Sequence, residues 1–120
     1  LGTHTLRGSE CTAAVVQALE AGIRLIDTAS VYRNEEAVGA ALASSSVARE
    51  DVYLVSKANP KEMRAGFHGI LQACEASLQK LGTTYLDLYL LHWPGVAGEA
   101  PESTMHKEKR AECWRAMTAL

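Results

Sequence analysis

Residues 22–39 read GIRLIDTASVYRNEEAVG, and they carry a strand, a loop and the start of a helix in succession. Ile23-Arg24-Leu25-Ile26 is an apolar, β-branched run of strand length, and it ends at Asp27. The loop that follows holds Tyr32. Asn34 then stands where it can cap a helix, with Glu35 and Glu36 in the first turn against the positive end of the helix dipole. Val38, Ala41 and Leu42 supply the apolar face of that helix.

The same order recurs along the chain. Val52-Tyr53-Leu54-Val55 and Leu86-Asp87-Leu88-Tyr89-Leu90-Leu91 are two further strand-length runs, bounded by polar or turn residues. Between them Phe67, Ile70, Leu71, Cys74, Leu78 and Leu81 recur at steps of three and four, which predicts a helix that stops at Gly82. Upstream, Glu10 to Ala21 reads as a helix through Ala14, Val15, Ala18 and Leu19, with Ser9 as cap and Gly22 as stop. A fourth helix is expected after Pro101, carrying Cys113, Trp114, Met117 and Leu120. Strand starts roughly 30 residues apart are the spacing of one strand-plus-helix unit. The fold class is therefore α/β with a parallel sheet, either doubly wound or a (β/α)8 barrel, and periodicity does not choose between them. No GxGxxG or Walker loop follows a strand, which counts against a doubly wound nucleotide-binding domain.

Composition narrows the function classes. The chain has 120 residues, 48% of them hydrophobic and 22% charged, with a formal charge of −2. That balance gives no reason to expect nucleic-acid or membrane partners. The basic cluster Lys107, Lys109 and Arg110 is interleaved with Glu108 and Glu112, as on a solvated helix face. Cys11, Cys74 and Cys113 are odd in number and show no CxxC spacing, so buried thiols in a reducing cytoplasm are expected rather than a disulfide framework. No apolar run has the length of a membrane span, and no signal peptide opens the chain. Leu1 in place of Met, and a helical pattern still running at Leu120, lead us to expect a domain truncated at both ends.

A polar residue closes every strand: Asp27 the first, Lys57 the second, His92 the third. In parallel α/β folds ligands sit outside the carboxyl ends of the strands, so these three residues and Tyr32 should converge on one face. Each has an innocent reading alone. Asp27 can form a turn with Thr28, Lys57 can end a strand in water, and His92 or Tyr32 can simply pack. Taken together they match one chemistry. A phenol holds its proton at neutral pH, and an adjacent ammonium stabilises the phenolate that donation would leave. A carboxylate keeps that ammonium charged and aimed, and a neutral imidazole can orient a carbonyl oxygen. Such a set protonates an oxygen on which negative charge is growing. It contains no serine or cysteine nucleophile, and the four histidines, dispersed along the chain, form no metal-ligand pattern.

At these residues the sequence resembles the aldo-keto reductases. GIRLIDTASVYRNEEAVG (22–39) matches the family pattern around its Asp and Tyr, REDVYLVSK (49–57) places a lysine where the family has one, and ASLQKLGTTYLDLYLLHWP (76–94) matches the segment that ends in its His. The likeness extends from Leu1-Gly2-Thr3 to AECWRAMTAL. It implies a (β/α)8 barrel of which about the first half is present, with residues 1–120 a partial domain. It implies NADPH as cofactor, bound without a Rossmann domain, and a small-molecule carbonyl substrate. Tyr32 would be the proton donor, Lys57 its activator, Asp27 the partner of Lys57 and His92 the group that orients the carbonyl. Trp93 would line the substrate pocket. Gly2 and Thr3, in the family's first loop, would join Asp27 and Lys57 at the nicotinamide end of the cofactor. A monomer is the expected state at full length.

The chain departs from the family in places. Arg33 follows the Tyr where glycine is common, and His4 stands where many members have Trp. Lys57-Ala58-Asn59-Pro60 is similar to the branch that reduces aflatoxin-type aldehydes, while His92-Trp93-Pro94 is similar to the aldose and aldehyde reductases. A complete barrel of this type needs about 250 residues. By itself the chain is expected to expose strand edges and apolar faces, and to bind NADPH poorly. The alternatives are a non-catalytic cofactor-sensing subunit, resembling potassium-channel β subunits, and an inactive truncated chain.

Overall fold

The computed structural model describes residues 1–120. Helix α1 (Gly8–Glu20) leads into β1 (Leu25–Asp27), a single 3-10 turn (Ser30–Tyr32) and α2 (Glu35–Ser44). A second 3-10 turn (Arg49–Asp51) precedes β2 (Tyr53–Ala58) and the short α3 (Pro60–Met63). Then come α4 (Gly66–Leu81), β3 (Leu88–Leu91) and α5 (Met105–Met117). The three strands form a parallel sheet in the order β1-β2-β3, with Asp27 opposite Val55 and Lys57 opposite Leu90. Residues 1–3 run beside β1 on its other edge. Gly2 bridges to Asp27, while the Asp27 and Thr3 amides bond Leu1 O and Asp27 O at 2.8 and 3.0 Å.

All the helices lie on one face of this sheet, with α1 packed on α2, α2 on α4 and α4 on α5. The strands alternate accordingly. Ile26 and Leu54 are buried in a core with Cys11, Val15 and Leu19 of α1, Val38 and Ala41 of α2, and Leu81 of α4. Farther along β2, Ala58 joins Met63, Ile70, Cys113 and Ala116 in a second cluster. Such burial contributes about 1.5–3 kcal/mol for each large aliphatic side chain. The opposite face is uncovered: Leu25 is 49% exposed, Tyr53 44%, Leu88 39% and Leu90 36%. This is the apolar inner face expected of an open part-barrel.

Local differences from the sequence reading have local causes. Ser9 does not cap α1; the extended Arg7 does, and its guanidinium turns back to the carbonyls of His4 and Leu6. Strand β3 begins at Leu88 rather than Leu86. The Asp87 carboxylate takes the Leu54 amide at 2.8 Å and the Arg49 guanidinium at 2.9 Å, while the Asp87 amide bonds Leu54 O at 3.1 Å, so a side chain makes one of the two bonds to Leu54. Helix α5 starts only at Met105, after a turn over residues 101–104, and Leu120 lies beyond its end. Helix α4 stops as expected. Gly82 is left-handed (φ 64), and the Gly82 and Thr83 amides bond Gln79 O and Leu78 O. The cysteines are free and buried, and burial pushes all three thiols up. No helix is long and apolar enough to cross a membrane.

One glycine sets the spacing of the helical layer. A Cβ at Gly39 of α2 would stand 2.7 Å from Lys80 O and 2.8 Å from the Leu81 carbonyl, both backbone atoms at the end of α4. Gly39→Ala is expected to cost about 2 kcal/mol, because backbone cannot step aside as a side-chain tip can. A urea titration should show the loss as a lower midpoint at unchanged slope.

Candidate active site

Lys57 is the hub of the cluster. It sits near the end of β2, where period-two alternation turns it to the uncovered face of the sheet. Its ammonium lies 2.7 Å from Asp27 Oδ1, 2.9 Å from Thr28 O and 3.4 Å from Tyr32 Oη. Those are three acceptors for three N–H donors, so the charge is fully engaged. The Lys57 side chain is only 12% exposed and that of Asp27 34%, so the ion pair is shielded far better than a surface pair.

Tyr32 reaches this point because the β1–α2 loop is short and tied at both ends. The 3-10 turn puts the ring over Lys57, 5.0 Å from Nζ to the ring centre. Two imidazoles meet the ring edge-on: His4 at 4.8 Å between centroids and His92 at 5.5 Å. His92 follows β3 directly, its amide bonded to Ala58 O at 3.1 Å. Burial holds its imidazole below the ordinary value, the Lys57 ammonium adds to the drop, Asp27 opposes it, and His4 again lowers it. The ring is thus neutral near pH 7, with Nδ1 buried and unpartnered. Trp93, 60% exposed, completes a cleft of about 380 Å³ with His4, Val31, Tyr32 and His92.

The structure therefore brings together Asp27, Tyr32, Lys57 and His92, with Trp93 on the rim. Gly2 and Thr3 lie alongside: Thr3 is buried and its hydroxyl donates to Asp27 O at 3.1 Å. Other residues hold the cluster, and their roles were not legible in the sequence. Asn34 does not use its side chain to cap α2. Buried instead, it donates to Thr3 O at 2.7 Å and Leu6 O at 3.1 Å, and accepts from the Thr28 hydroxyl at 2.9 Å. Glu35, equally buried, takes the Ser56 hydroxyl at 2.6 Å and pins α2 to β2. Ser30 donates to Lys57 O and faces Glu62, whose carboxylate also takes the Asn59 amide. That last contact belongs to a capping box, and Asn59-Pro60-Lys61-Glu62 carries its spacing in plain view.

Arg33 is the one non-glycine residue with a left-handed backbone, at φ 55 and ψ 35. A Cβ in that region costs about 1–2 kcal/mol, partly offset by the extra unfolded-state freedom of glycine. Arg33→Gly is expected to raise stability by about 0.5–1 kcal/mol, read as a higher urea midpoint.

Comparison with known proteins returns one family. The family model described as "Aldo/keto reductase family" matches residues 1–120. An aldo-keto reductase of Mycobacterium avium is 49% identical over 94 residues, which are 78% of this chain and 32% of that protein. Among solved structures, the aldo/keto reductase of Brucella melitensis superposes with a TM-score of 0.86 at 41% identity, covering 99% of this chain and 41% of that one. The aldo-keto reductase of Bombyx mori, solved in complex with NADP, gives 0.79 at 33% identity over 99% of this chain and 41% of that one. These neighbours are (β/α)8 barrels, and the three parallel strands with their one-sided helices correspond to the N-terminal part of such a barrel rather than to a doubly wound sheet. The chain spans about a third of the length of the curated relatives it matches. Fold and relatives agree: the chain belongs to the aldo/keto reductase family.

Proposed function

We propose that the protein carrying this chain reduces aldehydes or ketones to alcohols with NADPH, and that Tyr32, Lys57, Asp27 and His92 perform the proton chemistry. The observation that carries the reading is the ammonium of Lys57 held between the Asp27 carboxylate and the Tyr32 hydroxyl. The donor set suits a nicotinamide partner: it offers hydrogen bonds and a proton to a carbonyl oxygen, and no group that gives hydride. When bound, NADPH would supply the hydride. Gly2, Thr3, Asp27 and Lys57 are the residues of this chain proposed to lie against it.

The remaining work falls to the side chains. The carbonyl oxygen sits in the cleft within reach of Tyr32 Oη and the His92 ring, and Trp93 covers the substrate from the rim. As charge develops on that oxygen, Tyr32 gives it the hydroxyl proton, forming the O–H bond of the alcohol. The phenolate left behind is stabilised by the Lys57 ammonium and regains its proton from solvent. Asp27 keeps Lys57 charged and pointed at the phenol. Neutral His92 orients the oxygen without competing as a stronger acid.

Loss of NADPH absorbance on adding 4-nitrobenzaldehyde to the protein as encoded tests the reading. Turnover dependent on both compounds is expected. Absence of any NADPH consumption across aldehydes and ketones, in a protein that binds the cofactor, would overturn it.

A further inference from the structure

The loop from β3 to α5 forms the cleft wall through Trp93, and three basic side chains hold it from outside. Arg110 of α5 donates to Pro94 O at 2.6 Å. Arg64, at the end of α3, donates to Ala97 O at 3.2 Å and pairs with Glu99. His106, in the first turn of α5, receives the Val96 amide on Nδ1 at 3.0 Å, and its Nε2 lies 2.8 Å from Ala100 O. An amide only donates, so Nδ1 must be bare; a carbonyl only accepts, so Nε2 must carry the proton. Both bonds exist together only in the neutral ring. Protonation would set one N–H against another at Val96, an amide on a residue that is itself buried.

The fit is tight on the loop side as well. A Cβ at Gly95 would come 3.1 Å from His106 Nδ1, so the ring lies directly on the backbone. Of the charged groups, Glu99 lines the same cleft as the ring, Arg64 and Arg110 bind the same loop, and Glu102 and Lys107 stand within four residues of His106 in the chain. Arg64 and Glu99 are paired, and the imidazole's own hydrogen-bond partners are Val96 and Ala100 alone. The two arginines keep their protons and need no particular state to hold the loop, whereas the His106 bond to Val96 requires a bare Nδ1.

We propose that neutral His106 is a positioning residue for the Trp93 wall of the cleft, and that its protonation releases the loop and loosens substrate seating. The consequence for substrate rests on the reductase reading; the response of the loop to pH does not, and the two are measured apart.

Amide hydrogen exchange at Val96, followed by NMR in the parent and in His106→Asn, tests the latch. The Asn carboxamide keeps an acceptor but does not titrate, and the ratio of the two rates at each pH cancels the intrinsic pH dependence of exchange. At about pH 8 the two should be similarly protected, and at about pH 5 the parent should lose roughly threefold to tenfold in protection relative to the variant. An equal pH dependence in both overturns the latch. Ring nitrogen shifts of His106 need no variant: a proton on Nδ1 at about pH 8 also overturns it. For the substrate consequence, KM for the aldehyde should rise on acidification in the parent and stay flatter in His106→Asn. A latch that opens with no such difference in KM removes that part alone, and a protein without turnover fails the reductase reading while leaving the Val96 result standing.

Discussion

Tyr32→Phe is expected to lower kcat for an aldehyde by about 10²–10⁴-fold while leaving the fold intact. The loss follows from one missing atom. Tyr32 Oη is the group in the cleft that couples a transferable proton to a stabilising charge, through its 3.4 Å contact with Lys57. Phe keeps the ring between His4 and His92, so the cleft keeps its shape. His92 cannot easily substitute: its ring is neutral near pH 7, and a neutral imidazole is a far weaker acid than a phenol. The measurement is the rate of NADPH oxidation under saturating aldehyde, with far-UV circular dichroism as control for folding. A Phe variant as fast as the parent would remove the proton donor from the mechanism.

Asn34→Ala is expected to cost about 3 kcal/mol of stability and roughly tenfold in turnover, although Asn34 touches neither Tyr32 Oη nor Lys57 Nζ. Its amide group donates to Thr3 O and Leu6 O, and its oxygen receives the Thr28 hydroxyl; the Thr3 and Thr28 bonds are buried and the Leu6 bond partly so. Truncation strips the Thr28 hydroxyl of its acceptor, leaves Thr3 O with the Leu6 amide alone and Leu6 O with the Arg7 guanidinium alone, and unties the loop that aims the phenol. Asn34→Asp sharpens the test. It keeps an acceptor for Thr28 but replaces two N–H donors with an anion facing two carbonyl oxygens. It should be at least as damaging as Ala near neutral pH. Urea unfolding of both variants, alongside initial rates, separates the stability loss from the loss of aim.

What the sequence discloses, and what it hides, follows from the range of each interaction. The helix α4 stripe and the Gly82 stop are set by neighbours within one or two turns, so spacing alone places them. Asp27, Lys57 and His92 are legible as a set because parallel strands bring their carboxyl ends to one side. Tyr32 is legible because only five positions separate it from Asp27. Asn34 is the instructive failure. Its local context is that of a helix cap, and the carbonyls it serves lie 31 and 28 residues away. The Asp87 carboxylate that delays β3 acts across 33 residues, and the His106 latch needs a loop conformation that no periodicity encodes. The choice between barrel and doubly wound sheet likewise depended on where the helices lie, on one side of the sheet or both.

The bare side of the sheet governs how residues 1–120 behave at high concentration. Water over Leu25, Tyr53, Leu88 and Leu90 is released when that oily band meets another, and the drive strengthens on warming from the cold. Two copies laid band to band hide it and stop there. Contact along the free margin of β3, with its unpaired amides and carbonyls, has no such natural end and extends into filaments. Whether these residues form a discrete pair or a growing fibre is a contest between a self-limiting embrace and an open-ended one.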